Sequence, residues 1–225
     1  MKLNDFITYS KLVFEDTHDP MYFSSSKQLD ALMKYLIDVS SGISTGKLNI
    51  INAETGCGKT MLMKGFCRDL VSHGKTCIFQ TSQQFVTDLI LAISRGGISP
   101  TLHKNCDVYI VDDCFSLFPE TLKVLDEIHR ASPSTTMILL FDGCIPLEKY
   151  VLPRLQVDNV FEISAPCEAA RQAFTKDYLS SEAGRSLNIS VERALLLASE
   201  HKHIAPLRAA IQRESIERGY QRGTD

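Results

Sequence analysis

The sequence predicts a three-layer α/β domain with a five-stranded parallel sheet, followed by a small all-helical lid. Two observations predict this fold: short apolar runs alternate with longer helix-compatible stretches, and no clear strand pattern follows Pro166. Continuous apolar runs of this length suit strands that are buried on both faces, and alternation with helices favours a parallel sheet. The predicted strands are 48–52, 77–80, 108–111, 136–141 and 160–163.

Helical patterning fills the stretches between and after these strands. The predicted helices are 59–73 and 83–95 in the sheet region, and 168–179, 190–200 and 204–218 after it. Glycines follow the first two, which is a common way for a helix to end. We therefore divide the chain into an N-terminal extension at 1–22, a core at 23–166 and a helical lid at 167–225. The extension is interpreted as strands or turns on the core, with a partner-docking peptide as the alternative.

Composition limits the possible partners and compartment. The 225 residues carry a formal net charge of −3, so no global positive field attracts nucleic acid or a membrane, and any DNA contact must be local. Seven cysteines without a CxxC pair suit neither a disulfide framework nor a zinc site. Residues 1–19 lack the apolar core of a signal peptide, and no stretch reaches membrane-spanning length. We expect a cytoplasmic protein with reduced thiols and no membrane contact.

The loop after the first predicted strand has the residues that a triphosphate site needs. Gly56 and Gly58 allow close approach of backbone amides to phosphate, Lys59 supplies a cation and Thr60 a hydroxyl for Mg²⁺. Ala53 replaces the usual first glycine, which costs backbone freedom but removes neither the lysine nor the amides. The alternative is a glycine-rich turn with an accidental Lys-Thr. The predicted ATP contacts are Ala53, Glu54, Thr55, Gly56, Cys57, Gly58, Lys59, Thr60 and Met61.

Two carboxylates follow the third predicted strand. Asp112 and Asp113 stand at its carboxyl end, where ligands bind in open α/β sheets. Phosphoryl transfer needs a carboxylate that holds the metal and a polar group that orients the attacking water. We assign Asp112, with Thr60, to Mg²⁺ and Asp113 to the water. A helix cap is the alternative for this pair.

These two motifs and the order of the elements between them resemble the P-loop AAA+ ATPases, and within them the bacterial initiator DnaA and DnaC-type helicase loaders. The segments that carry the resemblance are 52–70, 84–89, 107–113 and 160–166 with Arg171. It spans roughly residues 10 to 215 and implies ATP binding, Mg²⁺ and self-assembly in ATP. The chain stops at Asp225, so we expect no helix-turn-helix module that reads origin DNA.

The resemblance also implies roles for single residues. Arg154 matches the arginine that reaches the γ-phosphate of a neighbouring subunit, and Asp142 matches the polar residue that senses the γ-phosphate. The alternatives are a surface arginine and a turn-forming Asp-Gly. The lid arginine of the family corresponds to Ala205, which leaves Arg208, one turn later, as a substitute only if the helix starts differently.

The expected function is a DnaA-like ATPase in DNA replication, acting in initiation or helicase loading. Its expected partners are copies of itself and a helicase or initiator protein, with single-stranded DNA as a further candidate. One alternative is a nucleotide-switched adaptor with little or no ATP turnover. The other is a small-molecule or nucleotide kinase, which the tandem Asp112-Asp113 disfavours because it suits a water nucleophile.

Overall fold

The computed structural model describes residues 9–12, 21–95, 106–143 and 145–222. Two short strands come first, and five strands that alternate with helices follow. The strands are β1 (Tyr9–Leu12), β2 (Met21–Ser24), β3 (Leu48–Ala53), β4 (Cys77–Thr81), β5 (Val108–Asp112), β6 (Thr136–Asp142) and β7 (Asn159–Ile163).

The last five strands form one parallel sheet in the order β4-β5-β6-β3-β7. All strands of a parallel sheet end at the same edge, so the residues after β3, β5 and β6 meet there. In register, Ala53 at the end of β3 lies beside Asp142 of β6 and Ile163 of β7. The predicted fold class is confirmed, and each predicted strand differs from the observed one by a single end residue.

Helices cover both faces of the sheet. They are α1 (Lys27–Ser40), α2 (Lys59–Ser72), α3 (Ser82–Ser94), α4 (Pro119–Ala131) and the single turn α5 (Leu147–Tyr150). Residues of α1 and α2 pack on one face in a core that contains Leu36, Phe66 and Ile110. Residues of α3 and α4 pack on the other face around Phe85 and Leu125. This arrangement gives the three predicted layers.

The sequence interpretation assigned neither α1 nor α4. Both have clear start signals: the Ser26 hydroxyl accepts a hydrogen bond from the Leu29 amide at 3.0 Å, and Pro119 occupies the first turn of α4. A serine cap and a proline at the first helical position are typical of helix starts. These signals were present in the sequence and were missed.

The C-terminal part is helical and has a core of its own. It contains α6 (Glu168–Ser180), the single turn α7 (Glu182–Arg185), α8 (Val191–Glu200) and α9 (Ile204–Arg222). Ala194, Leu197, Leu207 and Ile211 are buried together between these helices. The part of the chain that the structure describes contains no helix long and apolar enough to cross a membrane.

Arg171 and Ser24 are among the side chains that connect the helical part to the sheet region. Arg171 donates to the Pro166 carbonyl at 2.6 Å and to the Ala198 carbonyl at 2.8 Å. Ser24 of β2 donates to the Ala165 carbonyl at 2.7 Å and accepts from the Cys167 amide at the same distance. β1 and β2 are an antiparallel pair, so the expected strands at the N-terminus are present. The domain boundaries 1–22, 23–166 and 167–225 stay a prediction.

Candidate nucleotide-binding site

The loop between β3 and α2 adopts a conformation that depends on its glycines. Gly56 and Gly58 have φ angles of 85° and 93°, in the left-handed region that L side chains rarely adopt. A Cβ at Gly58 would also lie 3.4 Å from the buried Phe23 ring. α2 begins at Lys59, directly after these residues, and its first amides have no partner within the helix. Amides of this kind bind anions, as the sequence pattern predicts.

Lys59 points back into its own loop. Its Nζ donates to the Ala53 carbonyl at 2.6 Å and to the Glu54 carbonyl at 3.2 Å, and it lies 3.7 Å from Asp142 Oδ1. The side chain touches carbonyl oxygens and a carboxylate rather than apolar core residues. The ammonium group therefore sits inside the loop, where it can exchange carbonyl partners for phosphate oxygens.

The carboxyl end of β5 brings the acidic motif to this loop. Asp112 is buried, and its Oδ2 accepts a 2.7 Å hydrogen bond from the Thr60 hydroxyl. Its Oδ1 accepts from the Asp113 amide at 2.9 Å. The two residues predicted to hold the metal are thus adjacent, although they are far apart in the sequence. Neither Asp112 nor Asp113 caps α4, which begins at Pro119.

Asp113 differs from its neighbour in environment. It is the one described non-glycine residue with a positive φ, at 58°, and its side chain is exposed. Aspartate tolerates this conformation better than most residues. The pKa of Asp113 lies above its ordinary value, chiefly because the carboxyl group is partly buried and secondly because Asp112 repels its negative charge. The exposed carboxylate of Asp113, beside the buried Asp112, is open to contact with water.

Asp142 at the end of β6 lies against the phosphate loop. Its Oδ2 accepts a 2.5 Å hydrogen bond from the Thr55 hydroxyl, whereas its buried Oδ1 accepts none from the described residues. The next residue, Gly143, donates its amide to the Ala53 carbonyl at 3.0 Å. Asp142, the polar residue predicted at this strand end, therefore lies beside the loop. A turn also follows it.

The lid reaches the loop just before α9. Lys202 Nζ lies 2.5 Å from Glu54 Oε2, and His203 Nε2 lies 3.5 Å from the same oxygen. The His203 side chain covers Gly56, where an added Cβ would come within 3.2 Å of His203 Cβ. Burial lowers the pKa of His203, and the hydrogen bond from Lys202 lowers the pKa of Glu54. Neither lid residue was singled out from the sequence.

The structure also places the three other residues named from the resemblance. The Arg208 guanidinium is 5.3 Å from the centroid of the Tyr178 ring, so it packs within the lid. Ala205 is exposed and carries no charge. Arg154 donates to the Tyr150 carbonyl at 2.7 Å, at the end of α5. Met61, the last predicted loop residue, is 48% exposed in the first turn of α2.

The residues present fit a magnesium nucleotide. Positive-φ glycines leave space for close approach. Among the described residues, Lys59 has the loop carbonyls and Asp142 as polar partners, and no hydrogen bond reaches the buried Asp142 Oδ1. Thr60 and Asp112 supply the hydroxyl and carboxylate oxygens that Mg²⁺ prefers. The parallel sheet, this loop and the acidic strand end define the class: the chain has the AAA+ type of P-loop NTPase fold.

Comparisons with known proteins refine this class. The chain is 28% identical over 133 residues to the chromosomal replication initiator protein DnaA of Campylobacter fetus, a match that covers 57% of the chain and 27% of that protein. It is 26% identical over 129 residues to DnaA of Aliarcobacter butzleri, covering 54% of the chain and 29% of that protein. No protein-family model matches the chain.

Solved structures agree with these sequence matches. Domain III of Thermotoga maritima DnaA has a TM-score of 0.64 at 20% identity, covering 83% of this chain and 82% of that one. A DnaA bound to AMPPCP and single-stranded DNA has a TM-score of 0.68 at 17% identity, covering 88% and 66%. The chain therefore has the fold of these structures and resembles DnaA in sequence, and its matches span less than a third of the length of the two curated relatives.

Proposed function

We propose that the chain binds and hydrolyses Mg-ATP and acts in DNA replication, in initiation or helicase loading, through assembly that depends on the bound nucleotide. The observation that carries this proposal is the 2.7 Å contact of Thr60 with the buried Asp112. It joins the phosphate loop to the acidic strand end in the way that a nucleotide-bound metal requires.

Each residue of the site has a distinct task. Lys59 pairs with phosphate oxygens after it leaves the carbonyls of Ala53 and Glu54. Thr60 and Asp112 hold Mg²⁺, which when bound neutralises negative charge on the phosphates. The amides at the start of α2 bind the remaining phosphate oxygens, so the substrate is held before any bond breaks.

Hydrolysis adds two requirements. Asp113 orients the attacking water through its ionised carboxylate, and Asp142 is placed beside Lys59 and Thr55 to respond to the terminal phosphate. Because the pKa of Asp113 is raised, its carboxylate becomes protonated, and stops orienting water, at a higher pH than the carboxylate of an ordinary aspartate would. Arg154 supplies positive charge from a neighbouring subunit, because a guanidinium offers a phosphate a fixed fork of hydrogen-bond donors.

The setting of the proposal comes from the relatives. The proteins that the chain matches are replication initiators, and one related structure contains both AMPPCP and single-stranded DNA. By analogy, we propose self-assembly in ATP, a replication protein as partner and a cytoplasmic location. Single-stranded DNA is a further candidate ligand.

A second candidate is a nucleotide-switched adaptor that turns over little or no ATP. The observation that favours it is the hydrogen bond of Arg154 to the Tyr150 carbonyl, at 2.7 Å, which holds the guanidinium on its own subunit. An arginine that stays there cannot act on a neighbour. In that case nucleotide binding would change the surface that the partner contacts, without hydrolysis.

The two candidates are separated by turnover and by assembly. Phosphate release is measured with and without single-stranded DNA, and the molar mass is measured by light scattering in ATP and in ADP. The ATPase proposal expects turnover, an ATP-dependent increase in mass and loss of turnover in Asp113→Asn. Tight nucleotide binding with neither turnover nor any effect of Asp113→Asn would favour the adaptor.

A further inference from the structure

The contact between the lid and the phosphate loop contains a lid cation, Lys202. The connection between α8 and α9 places Lys202 on Glu54 and His203 over Gly56. Glu54 belongs to the predicted phosphate loop, and its carbonyl accepts from Lys59. A positive charge on the lid is thus already present at the rim of the phosphate site.

Three other lid residues are less suited than Lys202 to contact a bound nucleotide. Ala205 has no charge, and Arg208 packs against Tyr178 in the lid. Arg171 is engaged by the carbonyls of Pro166 and Ala198. Lys202, in contrast, has a flexible stem and a charge that can change partner without disturbing the backbone.

We propose that Lys202 is the residue through which the lid recognises bound nucleotide, exchanging the Glu54 carboxylate for a phosphate oxygen when nucleotide binds. This inference rests on the proposed nucleotide binding and adds to it the lid residue that takes part.

The ion pair with Glu54 is suited to such an exchange. The two side chains are 61% and 50% exposed, and exposed ion pairs are weak because water screens both charges. A nucleotide phosphate carries more negative charge than a carboxylate, so it competes well for a lysine that lies at the rim of the loop. Glu54 then loses the hydrogen bond from Lys202, which is the largest cause that lowers its pKa.

His203 holds the lid against the loop during the exchange. Its side chain is only 17% exposed and packs over Gly56, so it keeps the start of α9 against the loop while Lys202 changes partner. His203 therefore acts as a positioning residue for Lys202. Rotation of the long Lys202 side chain is sufficient, and no movement of the whole lid is required.

A double-mutant cycle separates this exchange from a purely structural link between lid and loop. The dissociation constant of an ATP analogue that is not hydrolysed is measured for the wild type, Lys202→Gln, Glu54→Gln and the double variant. If Lys202 binds phosphate, Lys202→Gln weakens binding about tenfold in both backgrounds, and Glu54→Gln alone tightens it because Lys202 no longer has to leave a carboxylate. If Lys202 only links lid to loop, both single changes weaken binding equally and the double variant is no worse.

A second readout follows the lysine itself. Acetylation of surface amines, quantified by mass spectrometry, should show that the analogue protects Lys202 in the wild type and in Glu54→Gln. Lys176, an exposed lysine on α6, is the internal control for labelling, and Lys176→Gln is the matched charge-removal variant that should bind normally. Unchanged Lys202 labelling with analogue bound would overturn the exchange.

The outcomes distinguish this inference from the proposed function. If the wild type binds no nucleotide, the proposed function fails and the role of Lys202 falls with it. If the wild type binds and Lys202→Gln binds equally well, nucleotide binding stands and the inference alone is wrong.

Discussion

Replacement of Gly56 by alanine probes the phosphate loop and the lid contact together. Gly56 has a φ of 85°, where an L side chain costs about 1–2 kcal/mol. The new methyl group would also lie 3.2 Å from His203 Cβ and 3.3 Å from its Cγ, closer than ordinary contact. Overpacking at this contact adds about 1 kcal/mol, because the histidine must give way by a few tenths of an ångström. We expect the free energy of unfolding to fall by about 2–3 kcal/mol.

Gly74→Ala is the matched control. Gly74 also has a positive φ, 71°, but an added Cβ there meets nothing within 4 Å. It carries the conformational cost without the contact, so its melting temperature should fall by roughly 2–8 °C and that of Gly56→Ala should fall further. Thermal unfolding followed by circular dichroism measures both. Equal melting temperatures for the two variants would refute the placement of His203 on the loop.

The remaining predictions concern hydrolysis and pH. Asp113→Asn should keep Mg-ATP affinity within about twofold and lower turnover about a hundredfold or more, and phosphate release at saturating ATP measures this. Loss of binding without loss of turnover per bound ATP would show that the two aspartates have the opposite roles. In the wild type, turnover should decline as the pH falls through the raised pKa of Asp113, which lies above the ordinary value of 3.8. Rates measured across the acid range would contradict this if the decline began only at the ordinary value. Arg154→Ala should leave the ATP affinity of the monomer unchanged, and mixing it with Lys59→Ala subunits should recover activity beyond the sum of the separate activities; mixed oligomers that show only the sum would exclude action between subunits. Burial lowers the pKa of His129 below 6.5, so the unfolded chain takes up the proton first and the free energy of unfolding should fall as the pH drops below that value; His129→Gln should reduce this dependence in urea unfolding at pH 7.5 and 5.5, and an unchanged slope would contradict it.

The sheet and the phosphate loop could be predicted because their signals are local. A strand buried on both faces is a continuous apolar run, and the loop follows one such run directly. The ends of strands were less certain, since residues such as Ala53 and Thr81 continue the ladder without being strongly apolar. The start of α1 was also predictable, because Ser26 is an ordinary cap signal.

The lid contact could not be predicted in the same way. Lys202 and Glu54 are 148 residues apart in the sequence, and no periodicity connects them. Their contact depends on how α6 to α9 pack and where Arg171 ties the lid to the sheet region. The same tertiary packing places Arg208 on Tyr178, so spacing along the last helix was a poor guide to which lid cation faces the loop.

Equilibrium binding of Mg-ATP to the wild type and to Lys59→Ala tests the central claim most directly. Among the residues that the structure describes, the polar partners of the Lys59 ammonium are loop carbonyls and Asp142, so its removal should leave the melting temperature nearly unchanged. Loss of its charge-assisted contacts with phosphate should weaken binding about a hundredfold. Titration calorimetry measures the affinity, and circular dichroism confirms the fold. If the folded variant binds Mg-ATP as tightly as the wild type, the loop from Ala53 to Thr60 is not the phosphate site.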